Sequence, residues 1–352
     1  MPYLETLTPD RTLLEDLILL PGAPGYEDRV RDYLREIASK YGRVEEDKIG
    51  NLLLHLGGRG PRIVIAAHMD EIGLVVTGIE DNGLLSFRKL GGIDDAILPA
   101  RHVLVHGEKG AIPGVIGAEP PHLRFASRTA RQESQVKPWY ELRIDVGAES
   151  GDEARELGVN VLDQVTFKKH ISYLAGGRYV AARALDDRAG CAALVELARL
   201  IGNGVVNPKA EVVLAWTVQE EVGLMGARAL NRRLEPDLFI AVDTVTCCHP
   251  SVTGGLKLGG GPVLRAIDNA YVSPARLVKR IHAAIRDRGI PVQVSSAGGG
   301  TDAAAFHVAG VPSIAISSPL KYTHSLVEKM SLSDYANWVR SLAALVEEGL
   351  EP

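Results

Sequence analysis

Residues 62–70 read Arg62-Ile63-Val64-Ile65-Ala66-Ala67-His68-Met69-Asp70, an apolar run that ends in an imidazole and a carboxylate. An apolar run this short and this unbroken predicts a strand covered on both faces, as in a parallel sheet. The figure recurs downstream. Residues 212–218 run into Gln219-Glu220-Glu221, residues 238–242 end at Asp243, and residues 313–317 are followed within a short loop by His324. Helical spacing fills the intervals at 187–200, 224–233, 274–288 and 333–347, with a further strand at 292–295 and a helix after Thr301. Strands alternating with helices predict an α/β fold, with a mixed, largely parallel sheet covered by helices.

Upstream, Thr8-Pro9-Asp10 reads as a helix start, with Leu13, Leu14, Leu17 and Ile18 at helical spacing. Beyond the break at residues 21–25, Val30, Leu34 and Ile37 repeat the pattern until Gly42. Between about residues 71 and 165 the texture changes to short β-rich runs, and Asp81-Asn82-Gly83 predicts a type I′ hairpin turn. Residues 119–137 lack apolar periodicity and read as a loop. The expected organisation is a discontinuous α/β domain, residues 1–70 and 166–352, carrying an inserted small β domain at 71–165.

Composition narrows the function classes. With 352 residues, 46% of them apolar and 24% charged, the chain is an ordinary globular one. A mean hydropathy of +0.04 and the lack of a long apolar run argue against a membrane span. A net charge of −5 without a basic block argues against nucleic-acid binding. Eighteen aromatics do not favour stacking platforms for sugars or bases. Three cysteines and no basic-apolar leader predict a reducing, cytoplasmic setting. Arg supplies 27 of the 39 basic residues while Asn and Gln together number 13, a balance that hints at a thermophilic source.

The chemistry gathers where the apolar runs stop. In open α/β sheets, ligands bind beyond the carboxyl ends of the strands, where His68, Asp70, Glu220, Glu221, Asp243 and His324 would meet Asp186 at the head of a helix. Taken singly, each acid reads as a helix cap or a solvated turn residue, and each His as a hydrogen-bonded structural one. Jointly, imidazole with several carboxylates and no suitable Cys pair is a ligand set for Zn²⁺, Co²⁺ or Mn²⁺. The adjacent acids Glu220-Glu221 would repel one another unless a cation compensates them. Cys247-Cys248-His249 reads as a pocket-wall loop in preference to a soft-metal site, and Gly298-Gly299-Gly300 is no phosphate loop because no Lys-Ser/Thr follows.

His68-Met69-Asp70-Glu71, Leu185-Asp186-Asp187-Arg188, Gln219-Glu220-Glu221-Val222-Gly223, Ala241-Val242-Asp243 and Tyr322-Thr323-His324-Ser325, with Gly299–Asp302, stand in an order and spacing that resembles the tetrahedral (TET) aminopeptidases. These are dinuclear metallo-exopeptidases of the glutamyl, leucyl and lysyl aminopeptidase group, some of them labelled cellulase or endoglucanase. The resemblance spans essentially the whole chain and implies a zinc-exopeptidase-like fold. It implies Asp186 as the carboxylate bridging two divalent ions, Zn²⁺ first and Co²⁺ or Mn²⁺ as alternatives. Glu221 and His324 would complete one site, and His68 and Asp243 the other. Glu220 would be the general base, and Asp70 the acceptor that orients the His68 ring. Two cations about 3.5–4 Å apart polarise a scissile carbonyl and acidify a bridging water. The resemblance further implies short peptide substrates, with the insert pairing subunits into dimers that build a homododecamer. Lys321 and Leu326 depart from the usual Arg and Pro, which bears on the local loop alone. A related metal-dependent deacylase or carboxypeptidase, a glycosidase and a non-enzymatic assembly protein are the competing classes. A glycosidase needs two carboxylates flanking a sugar, not a convergent ligand set. The expected first residue of the substrate is neutral or aliphatic.

Overall fold

In the computed structural model of the chain, which describes residues 7–120, 136–249 and 255–350, the quoted run is a strand from Arg62 to His68. In chain order, helices α1 (Arg11–Leu19) and α2 (Asp28–Ala38) lead to β1 (Arg43–Glu46), β2 (Leu52–Gly57) and β3 (Arg62–His68). A second unit follows, with β4 (Gly73–Ile79), β5 (Leu85–Leu90), β6 (Arg101–Gly107), β7 (Gly110–Ile116), β8 (Ile144–Asp145), helix α3 (Gly151–Glu156) and β9 (Gln164–Phe167). The chain then returns through β10 (Ser172–Leu174), β11 (Tyr179–Ala182), α4 (Leu185–Gly202), β12 (Glu211–Thr217), α5 (Met225–Leu230) and β13 (Leu238–Thr246). It ends with β14 (Val263–Ile267), α6 (Ala275–Arg286), β15 (Gln293–Ser296), α7 (Ala303–His307), β16 (Ser313–Lys321), β17 (Glu328–Ser331) and α8 (Leu332–Glu348).

The chain divides into two compact units, one of Met1–Glu71, His170–Thr323 and Val327–Pro352, the other of Ile72–Lys169 with His324–Leu326. The first unit is built on a mixed sheet of eleven described strands in the order β1-β2-β12-β3-β13-β16-β17-β11-β10, with β14 and β15 branching from β16. Its centre, β12-β3-β13-β16, is parallel, and the flanking pairs are antiparallel apart from β14 with β15. Successive side chains of a strand face opposite sides, and here both sides are core. Ile63, Ile65 and Ala67 join one apolar cluster with Val212, Leu214, Leu238 and Ile240. Val64 and Ala66 join another with Val213, Ala215, Phe239 and Ala241. That double burial is why these strands carry no polar alternation.

Helix α4 crosses the larger cluster and is buried along almost its whole length. Such a helix is mostly apolar, its alanines let it lie close to the sheet, and its buried Asp187, Arg188 and Glu196 are each hydrogen-bonded. Trp216 donates its indole N–H to Cys191 O at 3.2 Å, and Trp338 of α8 to Ile316 O at 2.7 Å, so neither buried ring leaves a donor unmet. Ser331 caps α8 by accepting from Asp334 N–H, and Gly349 ends it in the left-handed region.

The second unit is a closed six-stranded barrel, β4-β5-β8-β7-β6-β9, around Leu74, Val76, Phe87, Val103, Val105, Ile144 and Val165. The expected hairpin forms, but not with a type I′ turn. Gly83 takes a positive φ of 84° and Asn82 does not, while Glu80 N–H reaches Leu84 O at 2.9 Å. The loop is thus longer than two residues, and one left-handed position closes it. Most of the loop expected at 119–137 lies outside the described residues. Helix boundaries also differ from the expected ones. The helix expected at 224–233 is the shorter α5, because Gly223 and Leu224 are both left-handed and the helix starts after them.

Candidate metal centre

Strands β3, β12 and β13 bring their carboxyl ends to one edge of the sheet, and His68 and Thr217 are direct register partners there. His68 Nδ1 lies 3.1 Å from Asp70 O and 3.4 Å from Asp70 Oδ1. Two acceptors on that nitrogen place the ring hydrogen on Nδ1 and turn Nε2 toward Asp186, whose Oδ1 is 3.4 Å away. Ligand atoms of His68, Asp186 and Asp243 all lie within 4.8 Å of one another, and all three side chains are buried. Asp186 enters at the head of α4, its amide donating to Glu328 Oε2 at 3.2 Å. The residue after it, Asp187, is fully buried and receives Gly190 N–H at 3.1 Å.

Asp70 does more than face the His68 ring. Its Oδ1 accepts Glu220 N–H and its Oδ2 accepts Glu221 N–H, each at 3.0 Å. The two glutamates therefore leave β12 on a turn held by one carboxylate. Glu220 and Glu221 are both half-buried, and a carboxylate oxygen of Glu221 lies within 4.8 Å of one of Asp186. His324 groups with the second unit, where its Nδ1 lies 3.1 Å from Gly92 O. A Cβ on Gly92 would approach that nitrogen to 3.0 Å, so the glycine permits the contact.

The electrostatics are those of acids crowded out of water. Burial, and then the field of Asp186, push Asp243 up to about 7 against the pull of His68 and Arg265. Burial with Asp243 and Asp186 holds Asp187 well above the carboxylate range, and burial with Asp243, Glu221 and Asp302 does so for Glu220. For His68, burial opposes the charge, but Asp186 and Asp70 raise its pKa well above the ordinary value. A divalent cation amid these groups would supply the missing positive charge and reverse that protonation. One neutral imidazole nitrogen with two carboxylates also suits Zn²⁺, Co²⁺ or Mn²⁺, so the residues present fit such an ion.

Some of the surrounding machinery was given no role by the sequence, although Arg188, Glu71 and Asp302 lie within its motifs. Buried Arg265 of β14 reaches Asp243 Oδ2 at 3.7 Å and donates to Gly298 O and Gly299 O at 3.4 Å. Thr217 donates to buried Asp302 Oδ2 at 2.6 Å. Burial lifts Asp302 to about 6. Arg188 fastens Met69 O and Leu17 O at 2.8 and 2.6 Å. Arg183 pairs with buried Glu71 at 3.0 Å. The three cysteines are free, and among the described residues no metal-sized grouping includes Cys247, Cys248 or His249.

The sequence pattern of the M42 glutamyl aminopeptidases matches residues 50–340. The chain belongs to the M42 glutamyl aminopeptidase family. A lysyl aminopeptidase of Pyrococcus furiosus is 35% identical over 350 residues, covering 96% of this M42 chain and 97% of its own. The structure of the Pyrococcus horikoshii TET1 peptidase, described as able to assemble into a tetrahedron or a large octahedral shell, matches with a TM-score of 0.88 and 44% identity. That match covers 96% of this chain and 99% of the other. A Thermotoga maritima structure titled endoglucanase matches at 0.77 and 31% identity over 96% and 97% of the two chains. This M42 chain is an aminopeptidase, a hydrolase of peptide bonds, and its α/β fold with a separate barrel is that of the TET peptidases. Among the described residues no helix is long and apolar enough to cross a membrane.

Proposed function

We propose that the chain removes N-terminal residues from short peptides with two divalent ions, and that Glu220 is the general base. His68 and Asp243 would hold one ion and Glu221 and His324 the other, with Asp186 shared by the two sets of ligands. The observation that carries this reading is the buried His68–Asp186–Asp243 grouping at the carboxyl edge of the parallel strands, where Asp70, which faces the His68 ring, also fixes the backbone of Glu220. With His324 Nδ1 engaged by a carbonyl, Nε2 is its ligating nitrogen. When bound, Zn²⁺, or Co²⁺ or Mn²⁺ in its place, would supply Lewis-acid polarisation of the scissile carbonyl and an acidified water. Glu220 accepts a proton from the attacking water and returns it to the leaving amine nitrogen, so the acid and base roles close on one carboxylate. Asp70 holds the His68 ring by its carbonyl and carboxylate and keeps Glu220 facing the reacting centre.

The barrel unit pairs subunits and the dimers assemble into a dodecamer, a reading supported by the shells described for the Pyrococcus horikoshii relative. Three free cysteines fit a cytoplasmic setting. The test is a panel of aminoacyl-p-nitroanilides run with each metal and with chelator. Turnover that requires both metal and a free α-amine is expected. Equal hydrolysis of N-acetylated substrates would show that no free α-amine is needed and would overturn this reading.

A further inference from the structure

Strand β12 ends at Thr217, and each of the next four backbone amides is received by a side-chain oxygen from a distant part of the chain. Val218 N–H donates to Asn51 Oδ1, Gln219 N–H to Glu27 Oε1, Glu220 N–H to Asp70 Oδ1 and Glu221 N–H to Asp70 Oδ2, all at 3.0 Å. Backbone leaving a strand ordinarily turns its amides to water or to its own turn. Here Gln219 stands at φ 55°, a region sparsely populated by residues with a side chain, and external acceptors hold it there.

Glu27 is the unexpected member. It stands just before α2, yet makes no capping bond to that helix, and its side chain is 3% exposed. Among the described residues no Lys or Arg pairs with it. Burying a carboxylate without a cation is costly, and the amides it accepts offset part of that cost. What its Oε1 does is accept two amides, Gly25 N–H at 2.9 Å and Gln219 N–H at 3.0 Å. The loop before α2 is thereby fastened to the residue before Glu220.

We propose that Glu27 is a positioning residue for Glu220, acting through the Gln219 amide and touching neither metal nor substrate. This rests on the general-base reading above. Catalytic groups must be held within roughly 0.5 Å of their productive geometry, and displacement by about 1 Å costs on the order of 10²-fold in rate.

Two variants of the full-length, metal-loaded enzyme separate acceptor from charge. Glu27→Gln keeps Oε1 and loses the charge. Glu27→Asp keeps the charge and withdraws the oxygen by roughly 1.5 Å, one carbon–carbon bond. For Glu27→Gln, kcat within about threefold of wild type and retained hydrogen-exchange protection at Gln219 are expected. For Glu27→Asp, the expectation is kcat down roughly 10–100-fold with KM and metal content unchanged. Protection at Gln219 should fall at least about tenfold in the same variant. Wild-type kcat in Glu27→Asp, or equal losses in both variants, would overturn the proposal. So would an unfolded Glu27→Asp, which would make Glu27 a residue of the fold and not of the site. Glu220→Gln run alongside keeps the two readings apart. Full activity there removes the general-base reading, whereas an inactive Glu220→Gln beside a fully active Glu27→Asp removes the positioning role alone.

Discussion

Gly190 and Asp187 face each other across the first turn of α4 so closely that a Cβ on Gly190 would lie 2.3 Å from Asp187 Oδ2 and 2.4 Å from Oδ1. The carboxylate that fills this space is buried and accepts Gly190 N–H, so it has little room to retreat. Asp187 is also the neighbour of Asp186, and any displacement passes directly to the proposed bridging ligand.

Gly190→Ala therefore sets two effects against each other. Alanine in a helix gains about 1 kcal/mol over glycine. Overpacking a filled site costs typically about 1–3 kcal/mol, and a buried carboxyl with little freedom puts this case in the upper part of that range. Net destabilisation of about 1–2 kcal/mol and reduced bound metal are expected, from urea unfolding and metal analysis of the purified variant. A Gly190→Ala protein as stable as wild type and fully metallated would show that the carboxylate can move.

A pH test lies far from the metal centre. Glu196 of α4 accepts Tyr335 O–H at 2.8 Å and Asp10 N–H at 3.2 Å, and burial raises its pKa above the ordinary value despite these bonds. For a carboxyl raised in the folded state, the sign is the reverse of the usual salt-bridged acid. Its ionised form costs stability above the folded pKa, and the cost is relieved as pH falls through that pKa toward 4.5. Tyr335→Phe removes a donor to the ionised form, so the folded pKa rises further. The expected loss is about 1.5–3 kcal/mol at pH 8, where the carboxylate is charged, and distinctly less near pH 5. A loss independent of pH would show that the phenol matters for packing and not for the charge.

What the sequence disclosed followed from how the information is stored. Strand β3 and its central neighbours were readable because burial on both faces leaves an unbroken apolar run ending at a polar residue. Strand β1 was not, since Arg43-Val44-Glu45-Glu46 is a charged edge strand paired on one side alone. Short strands such as β10, β11 and β17 also escaped, because runs of three or four residues carry too little periodicity. At the site, His68 ends β3, Asp186 heads α4 and Asp243 directly follows the apolar run of β13, which continues to Thr246, so each could be named from the pattern of its own element. Glu27 and Asn51 could not. Their contacts span 192 and 167 residues, and nothing local distinguishes an acid before α2 from a solvated one.

Assembly gives a third prediction. If the barrel unit pairs subunits, the intact chain sediments as a species larger than a dimer at micromolar concentration. Removing residues 72–169 should abolish that species. It should also lower bound metal, since this excision severs the chain between His68 and Asp186. A monomeric intact protein would end the assembly reading without touching the chemistry.

The sharpest test separates Glu220 from Glu221. Successive residues of a strand point to opposite faces, but these two follow the end of β12, with their amides on the two oxygens of Asp70. That turn frees both side chains from strand alternation, so both can serve one centre in different roles. Glu220→Gln keeps the shape and removes the proton acceptor, and should retain both metals. Its kcat should fall roughly 10²–10⁴-fold, about 3–5 kcal/mol at the transition state, as for a positioned acid–base group. Glu221→Gln replaces a charged ligand by a neutral amide, so it should lose one equivalent of metal and recover activity as metal is added in excess. Metal content and kcat measured on both variants decide the assignment. If Glu220→Gln loses metal while Glu221→Gln keeps two equivalents, the two roles are the reverse of those proposed.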